Sequence, residues 1–288
     1  MQLADSGLGA YVQSWAPEAI VDQDVLSAGP VAAMSALLNQ PGPVAAQGEQ
    51  LPLLWHWLYF LHWPRQDELG GDGHPSRGHF LPPIPDRQRM FAGGRCEVVE
   101  PLQLGEHTER TSELTDVALK RGKTGELMFV TQRQEFRQRG RVCLVEEQDI
   151  VYRSGRSAAQ HPTGLDTSTE PGTRAPWHLV AQPDPPLLFR FSALTANSHR
   201  IHYDLPYARE VEGYPGLVVH GPLLVILMLE QARRNSGKPV RSVSYRLRSP
   251  VFAGEQLAAG GTPSETGAQL HVATHRDPRH ATAEVTFA

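Results

Sequence analysis

Val21, Val25, Leu26, Val31, Met34, Leu37 and Leu38 recur near helical spacing behind acidic Asp22 and Asp24, which predicts a leading helix that Pro30 kinks or splits. Residues 39–49 carry Pro41, Gly42, Pro43 and Gly48 and read as a loop. The block from Leu51 to Trp63 is apolar on every side, so its pattern predicts a buried helix rather than a surface one. Residues 64–88, rich in Gly, Pro, His and Asp, form a long irregular excursion of a kind that usually serves function or stays disordered. From Arg95 to Arg153 the pattern changes to alternating runs, expected of half-buried antiparallel strands. A polar stretch without periodicity follows, and then strand-like runs over 187–191 and 193–204. The apolar run beginning at Gly221 predicts a helix to about Asn235, and strands over 241–252, 268–275 and 281–288 close the chain.

The two halves resemble each other. Ser35, Ala36 and Leu37 match Ser192, Ala193 and Leu194 at a separation of 157; His56 stands against His220 at 164; Pro101, Gly105 and Glu106 match Pro250, Gly254 and Glu255 at 149. Their shared order supports a tandem duplication with insertions in both copies, the largest being the excursion after Trp63. Three regions are expected: an N-terminal unit over 1–155, a linker over 156–176 and a C-terminal unit over 177–288. Each unit is read as an antiparallel sheet wrapped around one central helix, so the fold class is α+β, a tandem or double hotdog.

Composition narrows the function. Gly 26 and Pro 24 in 288 residues make the chain turn-rich, and a net charge of −4 without like-charge blocks argues against nucleic acid or an anionic membrane as partner. No apolar run is long enough to span a bilayer and the N-terminus has no secretory pattern, so the expected location is the cytoplasm. Cys96 and Cys143 stand alone, without disulfide or zinc spacing. Only Lys120, Lys123 and Lys238 accompany 24 arginines. That skew suits recognition of phosphates and carboxylates and equally follows from a GC-rich genome.

The densest polar cluster in an apolar setting runs from Phe191 to Ala208, followed by the run Val218–Leu224. It resembles the motif of the MaoC-like, or hydratase 2, family of enoyl-thioester hydratases and dehydratases. Phe191, Leu194, Thr195, Ile201, His202 and Ala208 fit that motif, and His220 with Gly221 supplies its downstream pair. Ala196, Asn197, His199 and Arg200 stand where the family most often has Gly, Asp, Asn and Pro. The departures resemble one branch, the mitochondrial type 2 3-hydroxyacyl-thioester dehydratases and bacterial mesaconyl-C4-CoA hydratases.

The resemblance implies an acyl-CoA substrate, no cofactor and no metal, and it is compatible with a homodimer. It makes His202 the acid/base, because an amide at Asn197 cannot exchange protons at neutral pH and is left to orient water. Gly221 N–H, at a helix N-terminus, would bind the thioester oxygen as it becomes enolate-like, although Gly221 and Pro222 also make an ordinary helix start. His220, Trp57, Tyr59, Arg89, Arg95 and Arg200 are the candidate substrate contacts, with Arg87 beside them; core packing is the plainer reading for the aromatics and solvation for the arginines. Ala45 stands opposite His202 in the first copy, which is therefore expected to be catalytically silent.

Rival readings have less support in the residues. His199, His202 and Asp204 are ligand types, but a strand would turn His199 away from His202. His271 and His275 would stand far apart along a strand. Gly122, Lys123 and Thr124 end like a phosphate loop, yet Val117 occupies the first glycine's place, and no GxSxG elbow occurs. A hotdog thioesterase would need a carboxylate on the central helix, and none lies between Gly221 and Leu229. A non-catalytic acyl-CoA-binding protein leaves His202 without a purpose. The favoured substrate is a C5 dicarboxylic enoyl-CoA, mesaconyl-C4-CoA or itaconyl-CoA, giving citramalyl-CoA, with a fatty-acid-type 3-hydroxyacyl-thioester dehydratase as alternative.

Overall fold

A computed structural model of the chain describes residues 7–122, 125–155, 162, 164–172 and 175–288. In order these form a short helix α1 (Gly9–Val12), strand β1 (Ile20–Val25), helix α2 (Ala28–Leu37), strands β2 (Arg87–Val98), β3 (His107–Gly122), β4 (Gly125–Gln138), β5 (Arg141–Ser154) and β6 (Trp177–Ala181), and helices α3 (Pro185–Leu194) and α4 (Gly221–Asn235). Strands β7 (Val240–Leu247), β8 (Leu257–Pro263), β9 (Gly267–Ala273) and β10 (Ala281–Phe287) follow. The strands form one antiparallel sheet in the order β1-β3-β4-β5-β2-β7-β10-β9-β8-β6. Strands β1–β5 thus lie together, β6–β10 lie together, and the β2–β7 pair joins them. This double-hotdog arrangement is the expected fold class. Lys123 and Thr124, and residues 156–161, 163, 173 and 174 of the expected linker, lie outside the described residues.

The seam between the halves depends on Gly93 and Gly94. Gly93 pairs with Arg246 and Gly94 with Tyr245. A Cβ on Gly93 would stand 2.5 Å from the Tyr245 carbonyl oxygen, and one on Gly94 would stand 2.5 Å from that of Glu147. Only glycine lets the three backbones approach this closely.

Helix α4 is the central helix of the second half. Leu223 to Ala232 are buried throughout, because β7 to β10 curl around the helix and leave it no solvent face. Arg233 and Arg234 in its last turn complement the dipole and bind the buried Glu230 carboxylate.

Four local expectations are corrected. The expected buried helix over 51–63 is a single 3-10 turn, Trp55–Leu58, because Leu54 and Phe60 take left-handed φ values of 65° and 54° that close both ends. Among the described residues the first half therefore has no long central helix. Residues 20–25 are strand, not helix, held to β3 along its length; the helix begins only at Ala28, where Pro30 fits its first turn. The strand expected over 187–191 is part of α3, started by Asp184, whose side chain accepts from Leu187 N, and by Pro185. The strand-like reading of 193–204 fails for the same reason: the chain leaves α3 through a left-handed Ala196 (φ 49°) and enters a 3-10 turn, Arg200–His202.

One buried carboxylate ties these parts together. Glu146 on β5 is fully enclosed and accepts from His56 Nε2 at 2.8 Å, Trp57 Nε1 at 2.9 Å, Gln148 Nε2 at 3.1 Å and the Tyr245 hydroxyl at 3.3 Å. Burial raises its pKa, but His56 and the other donors outweigh burial and hold the carboxyl below the usual range. Its charge therefore contributes stability above the unfolded carboxylate value of about 4.3, and that contribution is lost as pH falls through the lower folded value. Glu146→Ala, which strands the buried donors of His56 and Tyr245 and the partly buried ones of Trp57 and Gln148, is expected to cost about 3–5 kcal/mol in chemical denaturation, with Glu146→Gln costing less. A loss below about 1 kcal/mol for the alanine variant would remove Glu146 from this role.

Candidate active site

The side chains of the polar motif converge because the chain turns sharply after α3. Asn197 N donates to the Ser192 carbonyl, and Asn197 Oδ1 accepts from His199 N at 3.0 Å, which sets the turn. His202 then points inward and is 7% exposed. Val218 holds it on two sides: its N–H donates to the Ile201 carbonyl, and its carbonyl accepts from His202 Nδ1 at 2.7 Å. The Nδ1 proton is thereby fixed, and Nε2, with no hydrogen-bond partner among the described residues, carries the lone pair. Burial pushes the pKa of His202 down to about 3, against the favourable pull of the Val218 carbonyl, so the ring is neutral at physiological pH.

His220 caps α4 and stacks on His202, with ring centroids 3.6 Å apart and planes 19° apart. Its Nε2 shares a 2.8 Å hydrogen bond with Ser192 Oγ, while its buried Nδ1 has no partner among the described residues. Burial also keeps His220 neutral, its pKa well below the ordinary value. Gly221 is the first residue of α4, where the positive end of the helix dipole meets the histidine stack. A Cβ there would stand 2.4 Å from Leu247 Cδ1, so glycine also seats the helix against β7.

The excursion after Trp63 reaches this site. Gly73 takes φ +87° and a Cβ on it would stand 2.0 Å from the Ser198 carbonyl oxygen. Ser198 Oγ donates to the Gly73 carbonyl, Arg200 N donates to the Asp72 carbonyl at 2.8 Å, and Arg200 NH1 donates to the Gly71 carbonyl at 2.9 Å. The docked loop lays His74 on His199, ring centroids 4.0 Å apart, and His199 meets His202 edge-on at 5.5 Å. Asp72 Oδ2 accepts from His74 Nδ1 at 3.1 Å. Burial lifts the Asp72 carboxyl but the His74 hydrogen bond and charge bring it to about 2; burial, then His74, push His199 to about 3.

The sequence-derived candidates divide accordingly. His202 and His220 stack, Gly221 follows His220 as the first residue of α4, and the Asn197 side chain turns to His199 N. Trp57 lies in the core against Phe91 and Tyr245, and the Tyr59 hydroxyl donates to the Ser27 carbonyl, so both are anchored in packing. Arg95 is held by Glu147 and Asp149, Arg200 by Asp204 and Arg87 by the carbonyls of Pro82, Pro75 and Ser76. Arg89 has no such partner among the described residues, and its charge is felt at His199. His199 does not point away from His202, because the segment is a turn and not a strand. Asp204 is committed to Arg200 and Tyr207 N instead of His202. Asp72, His74 and His199 each offer a metal-ligand atom within 4.8 Å of the others. The two histidine rings are tilted 33° to each other with centroids 4.0 Å apart, and His74 Nδ1 is already turned to Asp72. Asp72 and His74 were missed by sequence reasoning; their one signal was a long, His- and Asp-containing loop.

Comparison with known proteins identifies the family. The family profile of hydroxyacyl-thioester dehydratase type 2 matches residues 54–253. The chain is 44% identical over 232 residues to a mesaconyl-C(4)-CoA hydratase of Chloroflexus aurantiacus, covering 81% of each chain. It is 28% identical over 279 residues to the mitochondrial hydroxyacyl-thioester dehydratase type 2 of Schizosaccharomyces pombe, covering 86% of this chain and 91% of that one. Among solved structures, a MaoC-like dehydratase from Phytophthora capsici superposes with a TM-score of 0.66 at 10% identity, over 97% of this chain and 98% of that one, and so shares the fold.

Loop docking makes a prediction of its own. Gly73→Ala must abandon the positive φ and the Ser198 contact at a cost of about 1–3 kcal/mol, so residues 64–88 should become sensitive to limited proteolysis while the far-ultraviolet spectrum is kept. Unchanged resistance would contradict the docking.

Proposed function

The chain belongs to the hydroxyacyl-thioester dehydratase type 2 family and is a hydro-lyase, and on that premise we propose that it adds water reversibly across the double bond of a C5 dicarboxylic enoyl-CoA, mesaconyl-C4-CoA in the first place. One observation carries the chemistry: a neutral, buried His202 with Nδ1 locked on Val218 and its ring stacked on His220, the residue that precedes α4. His202 Nε2 removes a proton from a water oriented by Asn197, the water oxygen bonds to the β-carbon, and Gly221 N–H stabilises the enolate-like thioester oxygen. The 44% identical relative supports the C5 acyl group. Among the arginines Arg89 is the best placed to hold the distal carboxylate, since the others considered are already paired.

The two-unit division, with a catalytically silent first unit over 1–155 and a catalytic unit over 177–288, remains part of this proposal. The sheet order supports it, and the dipping of the first half's loop into the site gives the first unit a role. A second reading, dehydration of a fatty-acid-type 3-hydroxyacyl thioester, is favoured by the yeast relative. A thioesterase is disfavoured because the one carboxylate on α4, Glu230, is taken by Arg233, Arg234 and Gln40.

Loss of the conjugated-enone absorbance on a panel of enoyl-CoAs tests the reading, with mesaconyl-C4-CoA expected to turn over faster than crotonyl-CoA. Wild-type protein inert on the whole panel would refute it. His202→Ala should lower turnover at least ~100-fold with the fold intact, and Asn197→Asp should be tolerated. Because His202 is neutral down to acid pH, hydration kcat/KM should show no acid limb above about pH 5; a limb near pH 6.5 would contradict the buried, neutral ring. Arg89→Met should weaken the dicarboxylic substrate by about 1.5–3 kcal/mol and leave crotonyl-CoA unaffected. Equal loss on both substrates would reassign Arg89 to the CoA moiety or to folding.

A further inference from the structure

Ser35 and His56 of the first half match Ser192 and His220 of the second, yet the two pairs are used differently. Ser35 Oγ donates to the Val31 carbonyl at 2.7 Å and accepts from Val44 N at 3.1 Å, while His56 binds Glu146, so the first pair serves packing. Ser192 on α3 makes no such bonds. A helical hydroxyl commonly donates to the carbonyl four residues back, as Thr195 does to Phe191 at 2.8 Å. The one hydrogen bond of Ser192 Oγ among the described residues is instead the 2.8 Å bond to His220 Nε2, 28 residues on. Both groups are enclosed, Ser192 at 7% exposure and His220 at 0%, and Phe191 and His202 pack against the His220 ring with centroids at 4.9 Å and 3.6 Å.

That enclosure decides which way the bond points. A neutral imidazole has one N–H and one lone pair, and a hydroxyl has one hydrogen to give. If Ser192 accepted from a protonated Nε2, its own hydrogen and the Nδ1 lone pair would both lack partners among the described residues. If Ser192 donates, the Nδ1 proton alone is left without one. Donation thus strands one buried group instead of two, and each such group costs about 1–3 kcal/mol.

Resting on the hydratase reading above, we propose that Ser192 is a positioning residue for the base: its hydroxyl donates to His220 Nε2, which fixes His220 with its proton on Nδ1 and leaves His202 Nε2 as the one free lone pair of the stacked histidines. His220 then has no lone pair with which to compete for the water proton, and its plane is held within 19° of that of His202. The His202 ring is thereby fixed twice, by the Val218 carbonyl at Nδ1 and by the face of His220. When His202 takes a proton, its charge forms 3.6 Å from a ring that stays neutral, whereas a second imidazolium at that distance would repel it. Ser192 and His220 act through His202, in the manner of a supporting shell that locks the orientation of a reacting side chain.

The test reads tautomer and rate in the same full-length proteins. Long-range proton–nitrogen spectra of nitrogen-15 histidine are recorded for wild type, Ser192→Ala and Ser192→Thr, with His220→Gln to assign the resonance, beside steady-state hydration of the enoyl-CoA panel. The expected result is His220 protonated at Nδ1 in the wild type and a shift toward the Nε2-protonated form in Ser192→Ala. In that variant kcat should fall about 10- to 100-fold while KM changes less than about three-fold, and Ser192→Thr, which restores a hydroxyl, should recover both tautomer and rate. A wild type with His220 protonated at Nε2 overturns the proposal. So does a Ser192→Ala enzyme with wild-type kcat or with a loss confined to KM, and so does a rate that stays low in Ser192→Thr although the tautomer has returned. A wild type that hydrates no enoyl-CoA overturns the hydratase reading and the positioning role with it, whereas the tautomer, read without substrate, reports on the Ser192–His220 bond by itself.

Discussion

The β2–β7 pairing is the constraint on which the remaining structure depends. It converts two five-stranded halves into one ten-stranded sheet, and it does so at a place where Gly93 and Gly94 remove the side chains that would hold the strands apart. With that seam closed, Tyr245 of β7 reaches Glu146 of β5, and Glu146 in turn gathers His56 and Trp57. A buried carboxylate is costly unless paired, and here the donors from His56 and Trp57 tie the Trp55–Leu58 turn to β5 while the Tyr245 hydroxyl ties in β7 of the second half. The same seam brings the excursion after Trp63 within reach of the turn after α3.

The site follows from a second constraint, the burial of polar rings. His202 and His220 are stacked in an enclosed setting and neither has a carboxylate on it, so both stay neutral; the Val218 carbonyl sets the tautomer of His202, and Ser192 Oγ shares a hydrogen bond with His220 Nε2. A base that stays neutral at physiological pH is suited to taking a proton from water. In the function proposed, its place next to the residue that caps α4 would put the developing negative charge of the thioester where the helix dipole favours it. The asymmetry of the halves has a physical reading as well. The first half contributes a docked loop and a carboxylate-centred core, and among its described residues there is no long central helix like α4.

His202, Asn197, His220 and Gly221 were legible in the sequence because a polar cluster within apolar surroundings needs a reason, and the run after Gly221 has helical length and a proline at its start. The antiparallel strands were legible from alternation. The block around Trp57 misled because apolarity on every side shows burial and not conformation; left-handed Leu54 and Phe60 leave no trace in hydropathy. At 187–191 the apolar run outweighed a start signal that was present, Asp184 followed by two prolines. Asp72 and His74 were hidden for a different reason. Their position depends on a contact between Gly73 and Ser198, 125 residues away in the chain, and no local pattern encodes such a contact.

The central claim is that this site adds water to carbon while leaving the thioester intact. Mass analysis of the product formed from mesaconyl-C4-CoA in oxygen-18 water tests it most directly. The account predicts an intact CoA thioester carrying one heavy oxygen in a new hydroxyl on the β-carbon, and abolition of that product in His202→Ala. Release of free CoA with the heavy oxygen in a carboxylate would contradict it.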